Sequence, residues 1–189
     1  MIRELILKNR SYRRFHQDVA VGVETLRQLV DLARLSASAS NLQPLKYILS
    51  SDRERNAAIF PHLAWAGFLQ DWSGPAEGER PSAYIIILGD TEISHSFAYD
   101  CGIAAQSILL GAAEQGLGGC IIHSIQRESL RRALQIPPRY EILLVLALGK
   151  PKETVKIETV GASDDIKYWR DSMGVHHVPK RPLDEIIVG

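Results

Sequence analysis

The sequence predicts an α+β fold, a mixed β-sheet packed with helices around one long central helix. Three observations carry this. The stretch Phe97 to Gly119 is apolar over most of its length, and its polar residues Asp100, Ser107 and Glu114 recur every seventh position, two helical turns apart. Three continuous apolar runs, Ala83–Gly89, Cys120–His123 and Glu141–Gly149, have the character of strands covered on both faces. Helical and strand-like segments alternate, but without the strict rhythm of a doubly wound sheet.

The chain of 189 residues is long enough for one domain, 1–189, with a core that needs no disulfides. Lys plus Arg balances Asp plus Glu at 22 each, so no global charge draws it to nucleic acid or membrane, and any anion site is local. The central stretch is about long enough to span a bilayer. Asp100, Gln106, Glu114 and Gln115 would be stranded there, so it is expected to be a core helix. Cys101 and Cys120 have no metal-ligand spacing and are expected to pack as small apolar residues. The opening MIRELILKNR mixes acid and base without an apolar signal core, which fits a cytoplasmic protein.

In order along the chain, Ile2–Lys8 spaces Ile2, Leu5 and Ile6 as a short amphipathic helix, followed by a basic loop, Asn9 to Phe15. Val23–Leu35 repeats Leu26, Leu29, Val30 and Ala33 and is a second helix. The small, polar stretch from Ser36 to Pro44 is a turn, since Pro44 forbids a helix through it, and Lys46–Ser50 is strand-like. Residues from Arg53 to Trp72 are expected to be helical, with Trp65, Phe68 and Trp72 on one face, and Ser73–Pro81 is a solvated loop. Gly116, Gly118 and Gly119 end the central helix. Arg127–Gln135 is a short helix stopped by Pro137 and Pro138. From Lys150 on the chain is polar and irregular until a final apolar strand at Leu183–Val188.

No phosphate-loop, dinucleotide, nucleophile-elbow or zinc-protease motif is present, and GLGG after the central helix does not make the dinucleotide fingerprint. His176, His177 and Asp171 could hold a metal only if the histidines converged, and adjacent residues of a strand point to opposite faces; no metal site is assigned. Arg10, Ser11 and Arg13 near one end of the chain, with Lys180 and Arg181 near the other, have the chemistry of a phosphate site, or equally of two solvated basic turns. Asn41 and Gln43 can read the edge of a heterocycle or simply serve a helix-to-strand turn.

Taken together, these pieces resemble the nitroreductase family over essentially the whole chain. An early R-S-x-R-x-F stretch reads Arg10-Ser11-Tyr12-Arg13-Arg14-Phe15, and a P-S-x-x-N-x-Q-P-W turn reads Ala37-Ser38-Ala39-Ser40-Asn41-Leu42-Gln43-Pro44-Leu45. A long helix closes in Gly-Leu-Gly at 116–118, a late L-G-x-P reads Leu148-Gly149-Lys150-Pro151, and the terminal basic pair is Lys180-Arg181.

The resemblance implies an FMN-dependent homodimer that carries hydride from NADH or NADPH to a small acceptor such as a nitroaromatic or quinone. It implies that Arg10, Ser11, Arg13, Lys180 and Arg181 hold the FMN phosphate end. Ser38, Ala39, Asn41 and Gln43 would meet the flavin ring from the partner subunit, and Ile122, His123 and Ser124 would pass near flavin N5. The long helix would lie in the dimer interface, and residues 150–189 would embrace the partner. No amino-acid side chain is expected to act as nucleophile or general acid, although His123 is a titratable group near the ring. Ala37, Leu45 and Asn9 depart from the family pattern, and residues 53–81 do not match its substrate-covering helices. A flavin-binding or regulatory protein without turnover, reductive dehalogenation and flavin breakdown are the alternatives.

Overall fold

A computed structural model describes residues 1–161 and 165–189. Helices α1 (Ile2–Lys8) and α2 (Val23–Leu35) occupy the ranges that their apolar spacing predicts. The buried residues of α2, Leu26, Leu29 and Ala33, lie on one stripe and face α4 (Ala98–Glu114). Gly111 sets how closely these helices approach. A Cβ there would sit 2.3 Å from Leu32 Cδ1 and 3.1 Å from Leu29 Cδ2.

Behind the helices lies a five-stranded sheet. Its strands are β1 (Phe15–His16), β2 (Leu45–Ser50), β3 (Ala83–Asp90), β4 (Gly118–Ile122) and β5 (Tyr140–Pro151). The order is β1-β5-β3-β2, with β4 also paired to β5, and every ladder is antiparallel. Ile85, Ile87, Leu146 and Leu148 face α2 and α4, whereas Tyr84, Ile86, Val145 and Ala147 face Ile59, Leu63, Trp65 and Leu130. That alternation between two apolar layers explains why β3 and β5 are apolar at nearly every position. The second layer is closed by α3 (Arg53–Ile59) and α5 (Arg127–Leu134).

The C-terminal part forms a small second sheet, β6 (Val155–Thr159), β7 (Trp169–Arg170) and β8 (His176–Lys180), parallel between β6 and β8 and antiparallel between β7 and β8. It replaces the irregular chain expected after Lys150. The strand expected at Leu183–Val188 is instead a helical turn, α6 (Leu183–Ile186). The long helix expected from Arg53 to Trp72 stops at Ile59 and passes through one 3-10 turn, Phe60–His62, because Pro61 has no N–H with which to continue an α-helical ladder. Trp65 is then buried while Phe68 is half exposed, so the aromatic residues do not share one face. Among the described residues no helix is long and apolar enough to cross a membrane.

The polar stripe on α4 has a specific use. Asp100, only 5% exposed, accepts from Ser38 Oγ at 2.5 Å and from the Ala39 amide at 2.9 Å, and Ser107 meets Ser36 across 2.7 Å. The stripe pins the Ser36–Gln43 turn to the central helix.

Candidate functional site

The basic N-terminal segment is fastened to the sheet by its backbone. Ser11 bridges Gly119 in parallel register, and the Tyr12 amide donates to the Gly119 carbonyl at 3.0 Å. This approach needs glycine: a Cβ on Gly118 would lie 2.5 Å from the Tyr12 ring, and one on Gly119 would lie 2.8 Å from the Ala147 carbonyl oxygen. The amides of Arg13 and Arg14 both donate to Glu153 Oε1, at 2.5 and 3.1 Å, and Arg170 pairs with the other Glu153 oxygen at 2.9 Å.

Fixing the backbone sorts the two arginines. Arg14 forms a two-point ion pair with Glu79, Nε to Oε2 at 2.5 Å and NH2 to Oε1 at 2.6 Å, which holds the Glu79 carboxyl down at about 2. Arg13 points the other way, 4.9 Å over the Tyr168 ring and 3.2 Å from His176 Nε2.

A cavity of about 240 Å³ opens at Arg13, and Arg10, Ser11, Tyr168, His176 and Lys180 also line it. His176 is 1% exposed, and burial first, then the positive charge of Arg13, pushes its pKa down to about 4, so its ring is neutral near pH 7. Arg13 can only donate, so Nε2 accepts and the ring proton sits on Nδ1. Buried Nδ1 has no partner among the described residues. The cavity therefore presents guanidinium, ammonium and hydroxyl groups beside a neutral imidazole, a set of donors suited to an oxyanion.

A neighbouring cavity of about 300 Å³ shares Arg13, Ile121 and Tyr168 with the first and continues along Ile122, His123 and Ser124, beneath Trp65 and Ala66. The Ser124 carbonyl accepts from the Ala64 amide at 2.9 Å, which ties the irregular segment after α3 across this strip.

Of the residues singled out from sequence, Arg10, Ser11, Arg13 and Lys180 meet in one cavity and Ile122, His123 and Ser124 in the adjoining one. Arg10 also turns its guanidinium back onto the carbonyls of Ile6 and Asn9, capping α1. Arg181 pairs with Glu185 in α6 and does not line the cavity. Ser38 and Gln43 lie apart from it, in a separate cavity of about 230 Å³ beside Asp100 and Ala104, while Ala39 and Asn41 lie on the turn outside that lining. Ser40, Asn41 and Gln43 all have positive φ, 50°, 55° and 52°. Such conformations are costly for residues with a Cβ, and the Asp100 clamp holds them.

His177 faces away from His176, stacked on Trp169 and placed between Glu158 and Asp171. Both cysteines are buried and unpaired, and burial pushes the Cys101 thiol up to about 11. Sequence reasoning missed Glu153, Tyr168 and Asp100 as parts of the site and treated His176 only as a metal candidate.

The nitroreductase family model matches residues 6–150. An Archaeoglobus fulgidus protein, provisionally named NADH dehydrogenase/NAD(P)H nitroreductase, is 28% identical over 79% of this chain and 85% of its own length. A Vibrio harveyi NADPH-flavin oxidoreductase is 27% identical over 82% of this chain and 68% of its own. The structure of an FMN-dependent nitroreductase from Clostridium difficile R20291 superposes with a TM-score of 0.64 at 25% identity, covering 87% of this chain and 92% of that one.

Proposed function

The chain belongs to the nitroreductase family, and from that premise we propose that it is an FMN-dependent oxidoreductase moving hydride from NADH or NADPH to a small acceptor such as a nitroaromatic or quinone. The observation that carries this reading is the donor cavity at Arg13 and its continuity with the His123 strip. A phosphate in this cavity would meet the donors of Arg13, Ser11 and Lys180, so the residues present fit the phosphate end of FMN.

In this reading Ser11, Arg13 and Lys180 anchor the phosphate, with Arg10 beside them, and Arg181 leaves its pair with Glu185 or serves only that pair. Ile122 to Ser124 run along the ring, where a backbone N–H at His123 or Ser124 would donate to N5. When bound, FMN supplies the hydride chemistry. The protein binds, orients and excludes water; no side chain is assigned as nucleophile or general acid.

We further propose a cytoplasmic homodimer of single-domain subunits. The face of α4 with Ala98, Tyr99, Gly102 and Ile103 is exposed, Tyr99 at 78%, and exposed apolar side chains at Leu183, Ile186, Ile187 and Val188 end the chain. Pairing through α4 would cover the first group, and residues 150–189 would reach the partner with the second. The partner's Ser38–Gln43 turn would then complete the ring site, which accounts for its separation from the basic cavity within one chain.

Titration of flavin-free protein with FMN, followed by flavin fluorescence, tests the reading. The Arg13→Ala/Lys180→Ala double variant is expected to bind FMN at least about a hundredfold more weakly, the loss of two charge-assisted contacts. Unchanged affinity would remove the phosphate assignment.

A further inference from the structure

A cavity of about 420 Å³ lies between residues 17–20, α3 and the chain entering β3, and its lining shares no residue with the donor cavity or the His123 strip. Three of its lining residues, Arg80, Ser82 and Tyr84, lie within five positions of one another where the chain enters β3. Tyr84 is fully buried and Ser82 is 9% exposed, yet Tyr84 Oη, Ser82 Oγ and Arg80 Nε have no hydrogen-bond partner among the described residues.

The polar groups around them are already engaged. Ser50 Oγ donates to Asn56 Oδ1 and Asn56 Nδ2 to the Ser82 carbonyl, both at 2.7 Å. Gln17 Oε1 accepts the amides of Gly78 and Arg80 at 2.7 and 3.2 Å. Glu77 pairs with Arg80 at 2.9 Å and Arg53 at 3.5 Å, so its charge is answered by two guanidinium groups. None of these engaged groups accepts from the three orphaned atoms.

Burial raises the Tyr84 hydroxyl far above the ordinary phenol range, so it remains a donor at any working pH. A phenylalanine would fill the same volume without an orphaned hydroxyl, and buried polar groups are almost always paired. The lining also has an apolar part: the Phe60 ring, with the Arg80 guanidinium 4.3 Å above it, and Ala57, Ala20 and Pro81. Three unpartnered donors beside the Phe60 ring suit a small ligand with oxygen acceptors at its buried end.

We propose that this cavity is a second ligand site, which binds a small organic oxyanion, carboxylate or phosphate, through Arg80, Ser82 and Tyr84. The site is independent of the flavin reading, because it shares no residue with it.

The test is a two-dimensional amide NMR titration of the intact protein with inorganic phosphate and with benzoate, each to about 10 mM, the affinity range of a minimal ligand. Saturable shifts are expected at the amides of Asn56, Ser82 and Tyr84 with at least one probe, and benzoate binding tighter than phosphate would identify a carboxylate with an aromatic body. Tyr84→Phe with Ser82→Ala is expected to stay folded and to weaken that binding about tenfold or more, the loss of donor contacts, while Lys180→Ala leaves it unchanged. No saturable shift at these amides with either probe, or shifts that the double variant leaves intact or Lys180→Ala removes, would overturn the proposal.

Discussion

Replacing Asp100 by alanine is expected to damage both stability and the Ser36–Gln43 turn. The carboxylate, 5% exposed, receives the Ser38 hydroxyl at 2.5 Å and the Ala39 amide at 2.9 Å, and Ser38 Oγ in turn receives the Gln43 amide at 2.9 Å. Each hydrogen bond to a charged acceptor is worth about 1.5–3 kcal/mol. Removing the anion also relieves part of the cost of burying it, so the net loss is about 2–4 kcal/mol. For a chain of this size that lowers Tm by roughly 5–12 °C. Without the clamp, Ser40, Asn41 and Gln43 have nothing to hold their positive φ angles and should relax toward ordinary backbone. Asp100→Asn keeps the shape and an acceptor for Ala39 and should cost only about 1 kcal/mol, the value of a neutral hydrogen bond. Guanidinium unfolding curves for both variants measure the stability terms, and FMN titration reads the turn, with the alanine variant about tenfold weaker. An alanine variant within about 0.5 kcal/mol of wild type, the range of a neutral surface change, would refute the reasoning.

Gly119→Ala forces a Cβ to 2.8 Å from a backbone carbonyl of β5 and 2.6 Å from Leu109 Cδ2. A loss of about 1–3 kcal/mol in denaturant unfolding is expected, as for overpacked cores, together with weaker FMN binding because Ser11 loses its seat. His177 has its pKa raised by hydrogen bonds first to Glu158 and then to Asp171. Its contribution is therefore full below its unfolded pKa of 6.5 and is lost as pH rises through the higher folded value. Wild-type urea midpoints should fall between about pH 6 and pH 8.5 more than those of His177→Gln, and parallel profiles would contradict the assignment. Ile103→Glu puts a charge on the exposed face of α4. In sedimentation the proposed homodimer should give way to monomers that also lose FMN, whereas an unaffected dimer would move the interface elsewhere.

The parts of the fold legible in sequence are those set by local pattern. The helices Ile2–Lys8 and Val23–Leu35 follow from apolar spacing, and the three apolar runs became β3, β4 and β5; β3 and β5 are covered on both faces, whereas β4 buries Cys120 and Ile122 on one face and leaves Ile121 exposed on the other. The two-residue β1 could not be read, since its existence depends on pairing with Lys150 and Pro151 far along the chain. The small C-terminal sheet was missed for a related reason: its strands are short and partly exposed, so their composition is that of loop. At the site, charged and hydroxyl side chains announced themselves as clusters. What orients them did not, because Glu153 is 140 residues from Arg13, His176 is 163, and Asp100 is 62 from Ser38. The polar residues of α4 were visible as a stripe, but what the stripe holds became clear only when the helix was packed against α2.

The most direct measurement is the visible spectrum of the purified protein under anaerobic conditions, before and after NADPH and then NADH. The proposed function predicts a flavin absorption band that bleaches promptly with at least one of the two donors and returns when a quinone or nitroaromatic is added. A protein that shows no flavin band and takes up no added FMN, or whose flavin only dithionite can bleach, would contradict it.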